Sequence, residues 1–161
     1  MTELPQRELA ISWGQFHRDC FALIESVRSS GPFDGLLAVS RGGLAPAAIL
    51  SAELSLRRVE VIAISSYDGR SRGDAKILKD ANLPSNSRWL VIDDIADSGE
   101  TMKLVREQAP DAVYAAVYAK PAGRPFVDHF AVEVAQEDWV VFPWDPAGDT
   151  EWRNKGSKKS D

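Results

Sequence analysis

The amino-acid sequence predicts an α/β protein with a doubly wound, mostly parallel sheet flanked by helices. Three observations predict it. Short, wholly apolar runs rich in β-branched residues, such as Trp89 to Ile92, are too short for helices and read as strands buried on both faces. Those runs alternate with amphipathic helical stretches, which is the order that builds a parallel sheet. Polar, small-residue turns follow the apolar runs, as at Ser40-Arg41-Gly42-Gly43 and Asp97-Ser98-Gly99-Glu100-Thr101. Neither Gly-x-Gly-x-x-Gly nor a Walker A sequence occurs, which speaks against dinucleotide and NTPase sites.

A length of 161 residues suits one domain over 1–161, with 146–161 as a polar tail. Residues 1–11 read as a leader. Ser12 to Ser29 reads as an amphipathic helix, with Trp13, Phe16, Cys20, Leu23, Ile24 and Val27 at helical spacing. Ser12 and Gln15 form a candidate capping box, and Gly31-Pro32 stops the helix. The run from Phe33 to Val39 reads as a central strand, followed by a helix from Ala45 to Leu54 with Pro46 in its first turn. Val59 to Ser65 is a third strand. Residues 66–84 are polar and long for a connection, so they read as functional or mobile, with Ile77-Leu78 giving a short strand or helical turn. After Trp89–Ile92 a helix runs from Met102 to Gln108. Ala112–Tyr118 and Phe130–Val134 are further strands, and Trp139 to Trp144 is an aromatic run.

The bulk properties exclude several function classes. Net charge is −5, which leaves no electrostatic footprint for nucleic acid. No run approaches the ~18 apolar residues of a membrane span. The N-terminus lacks the apolar region of a signal peptide. The single cysteine, Cys20, excludes an internal disulfide, fits a reducing compartment and reads as a buried structural thiol. Together these predict a cytoplasmic protein.

The chemistry concentrates in residues 89–102. An apolar strand meets Asp93 and Asp94, then a turn with backbone N–H groups, two hydroxyls and Gly99, then a helix N-terminus whose dipole favours a phosphate. Asp93, Asp94, Asp97 and Glu100 would repel a bare phosphate. A sugar phosphate with Mg²⁺ suits both halves. The plainer alternative is an acidic loop in which Asp97 or Ser98 caps the next helix. At the end of another strand, Ser40-Arg41-Gly42-Gly43 offers two glycines and a guanidinium fork for an anionic oxygen, or else a plain turn with a surface arginine.

The unit of four apolar residues, two acids and D-[ST]-G-x-T resembles the 5-phosphoribosyl-1-pyrophosphate (PRPP) binding signature of type I phosphoribosyltransferases. From about residue 11 to 145 the chain is most similar to the bacterial xanthine-guanine branch. The matching pieces are Ala-Val-Ser-Arg-Gly-Gly-Leu (38–44), Ile-Ser-Ser-Tyr-Asp (64–68), Val-Ile-Asp-Asp (91–94), Ala-Lys-Pro-Ala-Gly-Arg-Pro (119–125), Val-Asp (127–128), and Trp139 followed by Pro-Trp-Asp (143–145).

The resemblance implies transfer of a phosphoribosyl group from PRPP to N9 of a 6-oxopurine, with Mg²⁺ as cofactor, in a homo-oligomer (dimer or tetramer). It implies that Asp93 and Asp94 hold the ribose hydroxyls and that Asp94 serves the metal. Ala96, Asp97, Ser98, Gly99, Glu100 and Thr101 would take the 5′-phosphate, and Arg41 and Gly42 the pyrophosphate. Asp97 would also act near N7 as general base or electrostatic partner, with Arg41 catalytic at the leaving group. Lys120 would donate to the 6-oxo group, Trp139 would stack on the base and Val140 would read its edge. By composition alone Lys120 is a solvated lysine and Trp139 a core aromatic. Ser66, Tyr67, Arg70 and Arg72 belong to the hood.

Two features depart from the branch. Val141 stands where its members carry an acid that helps read the 2-substituent, so the sequence does not rank xanthine, guanine and hypoxanthine. The hood arginines are shifted. The alternatives are a PRPP-sensing regulator on the same fold, for which no basic stripe or helix-turn-helix is present, and a transferase with a non-purine acceptor.

Overall fold

The computed structural model describes residues 7–65 and 75–146. The hood positions Ser66, Tyr67, Arg70 and Arg72 and the tail 147–161 lie outside the described residues. The described chain forms two compact units, residues 7–18 with 137–146, and Asp19–Gln136.

The smaller unit holds a strand the sequence reading missed. Glu8–Ala10, read as leader, is β1, and it pairs in parallel with β8 (Trp139–Val141), Leu9 opposite Val140. Three residues of mixed polarity give no periodic signal, so only the pairing defines β1. Helix α1 (Trp13–Val27) opens as expected, with Ser12 Oγ accepting from Gln15 N at 3.2 Å. An aromatic cluster fills this unit. Phe142 stacks on Trp144 with centroids 4.7 Å apart, and Phe16 meets Trp144 edge-on at 4.8 Å. Asp145 Oδ2 accepts from Phe142 N at 2.8 Å, which closes the turn of the Pro-Trp-Asp motif.

The larger unit is built on a six-stranded sheet in the order β4-β3-β2-β5-β6-β7. Its strands are β2 (Gly35–Ser40), β3 (Val59–Ser65), β4 (Lys76–Lys79), β5 (Trp89–Ala96), β6 (Val113–Ala119) and β7 (His129–Glu133). All neighbours are parallel except β4, which runs antiparallel to β3 at the edge. The mostly parallel α/β prediction is thereby borne out. The wholly apolar runs are the central strands: Leu36, Leu37, Ala38, Leu90, Val91 and Ile92 are fully buried. Helices α2 (Leu44–Glu53) and α3 (Glu100–Gln108) follow β2 and β5.

Two boundaries correct the sequence reading where it bears on function. Strand β5 does not stop before the acids but carries Asp93 and Asp94 within it to Ala96. Helix α3 begins at Glu100, two residues earlier than the apolar periodicity suggests. Among the described residues no helix is long and apolar enough to cross a membrane. Burial pushes the Cys20 thiol up to about 12, as expected of a structural cysteine.

Candidate active site

The strand order fixes where a ligand can enter. From β2 the chain winds outward through β3 to β4, then returns to β5 on the other side of β2 and proceeds to β6 and β7. The loops leaving the carboxyl ends of β2 and β5 therefore diverge and leave a crevice between them. The predicted Ser40–Gly43 and Asp93–Thr101 segments sit at these two ends.

At the end of β2 the Ser40–Arg41 peptide is cis, and the turn closes through Gly43 N to Val39 O (2.7 Å) and Leu44 N to Arg41 O (3.1 Å). Arg41 is exposed and makes no ion pair among the described residues. Gly42 lies against β5 so closely that a Cβ built on it would overlap the Asp94 carboxyl group. The pyrophosphate-loop candidates and the ribose candidates are thus one packed feature, with no room for a side chain between them.

The adjacent acids are not equivalent. Alternation along a strand sends neighbouring side chains to opposite faces. Asp93 Oδ1 accepts from Asp94 N at 2.9 Å, and Asp94 Oδ1 from Ile95 N at 2.7 Å. Burial raises the Asp93 carboxyl well above the ordinary carboxylate range, and the neighbouring Asp94 charge pushes in the same direction. Among the described residues no group of three or more His, Cys, Asp or Glu could hold a metal ion. One or two carboxylates are nevertheless what a Mg²⁺ carried by substrate phosphates and water requires, so Asp94 fits that limited role.

The turn after β5 is the candidate phosphate site. Gly99 adopts φ +85 at the N-cap of α3, a conformation glycine takes at little cost. A Cβ there would also overlap the Phe126 ring. Ser98 Oγ accepts from Glu100 N at 3.4 Å, and Glu100 is occupied by Lys103 at 2.7 Å. Ala96 is buried, and its carbonyl accepts from Lys120 N at 2.9 Å. Thr101 lies in the first turn of α3.

Lys120, just past β6, is 5% exposed, so it is not a solvated lysine. Its ammonium donates to Asp97 Oδ2 at 3.0 Å. Gln136 donates from Nε2 to Asp97 Oδ1 at 3.0 Å and accepts from Ala122 N at 2.9 Å through Oε1. Sequence reasoning missed Gln136 and Phe126, since neither sits in a periodic pattern or carries a charge. Trp139 and Val140 belong to the smaller unit. Trp139 is 46% exposed, so it is not the core aromatic that composition suggests, and its N donates to Arg7 O at 2.9 Å.

Residues 12–151 match the model of the phosphoribosyl transferase domain. The chain belongs to that family. Xanthine-guanine phosphoribosyltransferase of Nitratidesulfovibrio vulgaris (strain Hildenborough) is 48% identical over 136 residues, 84% of this chain and 83% of the relative. The enzyme of the same name from Desulfotalea psychrophila is 44% identical over 146 residues, 90% of this chain and 91% of the relative. Among solved structures, the xanthine-guanine-hypoxanthine phosphoribosyltransferase of Helicobacter pylori superposes with a TM-score of 0.76 at 26% identity, over 94% of this chain and 99% of the other. A purine phosphoribosyltransferase from Pyrococcus horikoshii gives 0.75 at 29% identity, over 88% and 96%. The protein is therefore a phosphoribosyltransferase, a glycosyltransferase similar to the bacterial xanthine-guanine enzymes, as the PRPP signature in the sequence suggests.

Proposed function

We propose that the protein is a purine-salvage enzyme that moves the 5-phosphoribosyl group of PRPP to N9 of a 6-oxopurine, releasing pyrophosphate and a purine nucleoside 5′-monophosphate. The observation that carries the acceptor class is the buried Lys120 ammonium. Asp97 takes one of its three donors, which leaves donors for an oxo group. A 6-amino group would instead oppose a donor with a cation, and sites built on such pairings reject the mismatch strongly.

In this reading N9 attacks ribose C1 as the C1–O bond to pyrophosphate breaks, and the N–H proton of the base passes to water or to the departing pyrophosphate. Asp93 and Asp94 hold the ribose hydroxyls. The Asp97–Thr101 turn holds the 5′-phosphate on backbone N–H groups and hydroxyls. Arg41 and the Gly42 backbone take the departing pyrophosphate, where preset donors act most strongly on developing charge. Asp94 would hold a Mg²⁺ brought by the substrate, which would supply further positive charge at the leaving group. Asp97 has one oxygen on a cation and the other on an amide, which favours the electrostatic role near N7 over that of general base. For the base, Trp139 supplies a stacking surface and Val140 a backbone edge, as the resemblance implies. Ser66, Tyr67, Arg70 and Arg72 supply the hood that excludes water. The chain works as one domain, in the cytoplasm, as a homo-oligomer.

The test is pyrophosphate release with PRPP and Mg²⁺ against hypoxanthine, xanthine, guanine, adenine and orotate. Activity on the three oxopurines and none on adenine is expected. Lys120→Ala should lower kcat/KM for all three by about tenfold to a hundredfold while changing PRPP binding less. Equal use of adenine, or full activity in Lys120→Ala, would overturn the acceptor assignment.

A further inference from the structure

Asp97, Lys120 and Gln136 stand just past the carboxyl ends of three neighbouring strands, β5, β6 and β7. Backbone bonds join the strand ends themselves, Lys120 N donating to Ala96 O and Val134 N to Ala119 O (both 2.9 Å), and side chains add a second tie beyond them. Gln136 uses both halves of its amide: Nε2 donates to Asp97 Oδ1 (3.0 Å) and Oε1 accepts from Ala122 N (2.9 Å). Only this orientation of the amide serves both neighbours, because a carboxylate can only accept and a backbone N–H can only donate. The Ala122 bond anchors Gln136 to the turn that Lys120 opens, in which Gly123 N donates to Lys120 O at 3.0 Å. Asp97 is therefore gripped on Oδ1 by an amide fixed at its other end, and on Oδ2 by Lys120. Without Gln136 the half-exposed carboxylate could turn about its last torsion, which is broad and roughly two-fold. The ammonium it holds would be released with it.

We propose that Gln136 is a positioning residue for the acceptor half of the reaction, setting the Asp97 carboxylate and, through it, the direction of the Lys120 ammonium. This inference rests on the purine-transfer reading above. It goes beyond it by assigning acceptor geometry to a neutral side chain outside every recognised motif.

Two variants of the full chain test it. Gln136→Leu removes both hydrogen bonds while keeping the bulk. Gln136→Glu keeps an acceptor for Ala122 N but sets a second carboxylate against Asp97. Gln136 is exposed, so unfolding midpoints close to that of wild type are expected in each variant. With PRPP, Mg²⁺ and hypoxanthine, kcat/KM for the base should fall about tenfold in the Leu variant and further in the Glu variant. KM for PRPP should stay within about twofold in both.

A purely structural role would move both substrates together or be rescued by Glu, and either result overturns the proposal. So does a base kcat/KM within about twofold of wild type in either variant. If the wild type transfers nothing to any oxopurine, the purine reading fails and this inference with it. If the wild type transfers and the variants are unchanged, the inference alone fails.

Discussion

Three aspartates fall within five residues, and their surroundings divide them. Asp93 and Asp94 are buried in β5 and hydrogen-bonded by the backbone of their own strand. Asp97 is half-exposed beyond the strand end and held by side chains from just beyond β6 and β7. The first two are as rigid as the sheet. The third is as rigid as its partners, Lys120 and Gln136. Backbone-held acids suit a rigid, unchanging ligand such as ribose. A side-chain-held acid suits the acceptor, whose geometry can be tuned by changing one partner.

The largest test of that contrast is to neutralise the buried pair. Under the proposed reading, in which both acids hold the ribose hydroxyls, Asp93→Asn with Asp94→Asn should lower kcat/KM for PRPP by at least about a hundredfold. The far-ultraviolet circular dichroism should be unchanged. Wild-type kinetics in the double variant would remove both acids from the site.

A smaller effect is expected from Gly42→Ala. The added methyl would overlap the Asp94 carboxyl group, so either the turn or the acid must move. Overpacking of this kind costs about 1–3 kcal/mol. The kcat/KM for PRPP should fall about tenfold with KM for the purine little changed. A purine-selective defect would instead mean that the β2 turn and the buried acids do not act as one unit.

How much of this was legible beforehand follows the same division. The β5 motif could be read because its residues are contiguous: apolar strand, acids and turn appear in one line of sequence. Strand Val59–Ser65 matched to the residue for the same reason. β1 could not be read, because three residues become a strand only through β8, far along the chain. The acids were expected after the strand because charged residues ordinarily end an apolar run. The fold instead buries them in it, and Gly42 packs against one of them. Gln136 was invisible because what sets it apart is a pair of hydrogen bonds to residues 39 and 14 positions away. A neutral exposed glutamine carries no pattern that would point to either.

The smallest expected effect concerns stability, and it separates the two buried acids from each other. Burial raises the Asp93 carboxyl well above its ordinary range. Below an ordinary carboxylate value of about 4, both folded and unfolded chains hold the proton and this residue contributes no pH dependence. Between that value and the raised one, only the folded chain holds it, so unfolding releases a proton and stability falls as pH rises. Above the raised value the full burden of a buried charge beside Asp94 is present. Asparagine cannot ionise, yet its side-chain oxygen can still accept from Asp94 N. Asp93→Asn should therefore unfold at a higher temperature than wild type near neutrality, with the gap narrowing toward pH ~4. Thermal unfolding at a series of pH values in that interval, without PRPP or Mg²⁺, reads the difference directly. Curves that stay parallel across the interval would show that Asp93 is not the strained acid, and the contrast between backbone-held and side-chain-held carboxylates would lose its energetic basis. A gap that narrows as expected, together with impaired use of PRPP, would mean that the site keeps a destabilising charge because the sugar needs it.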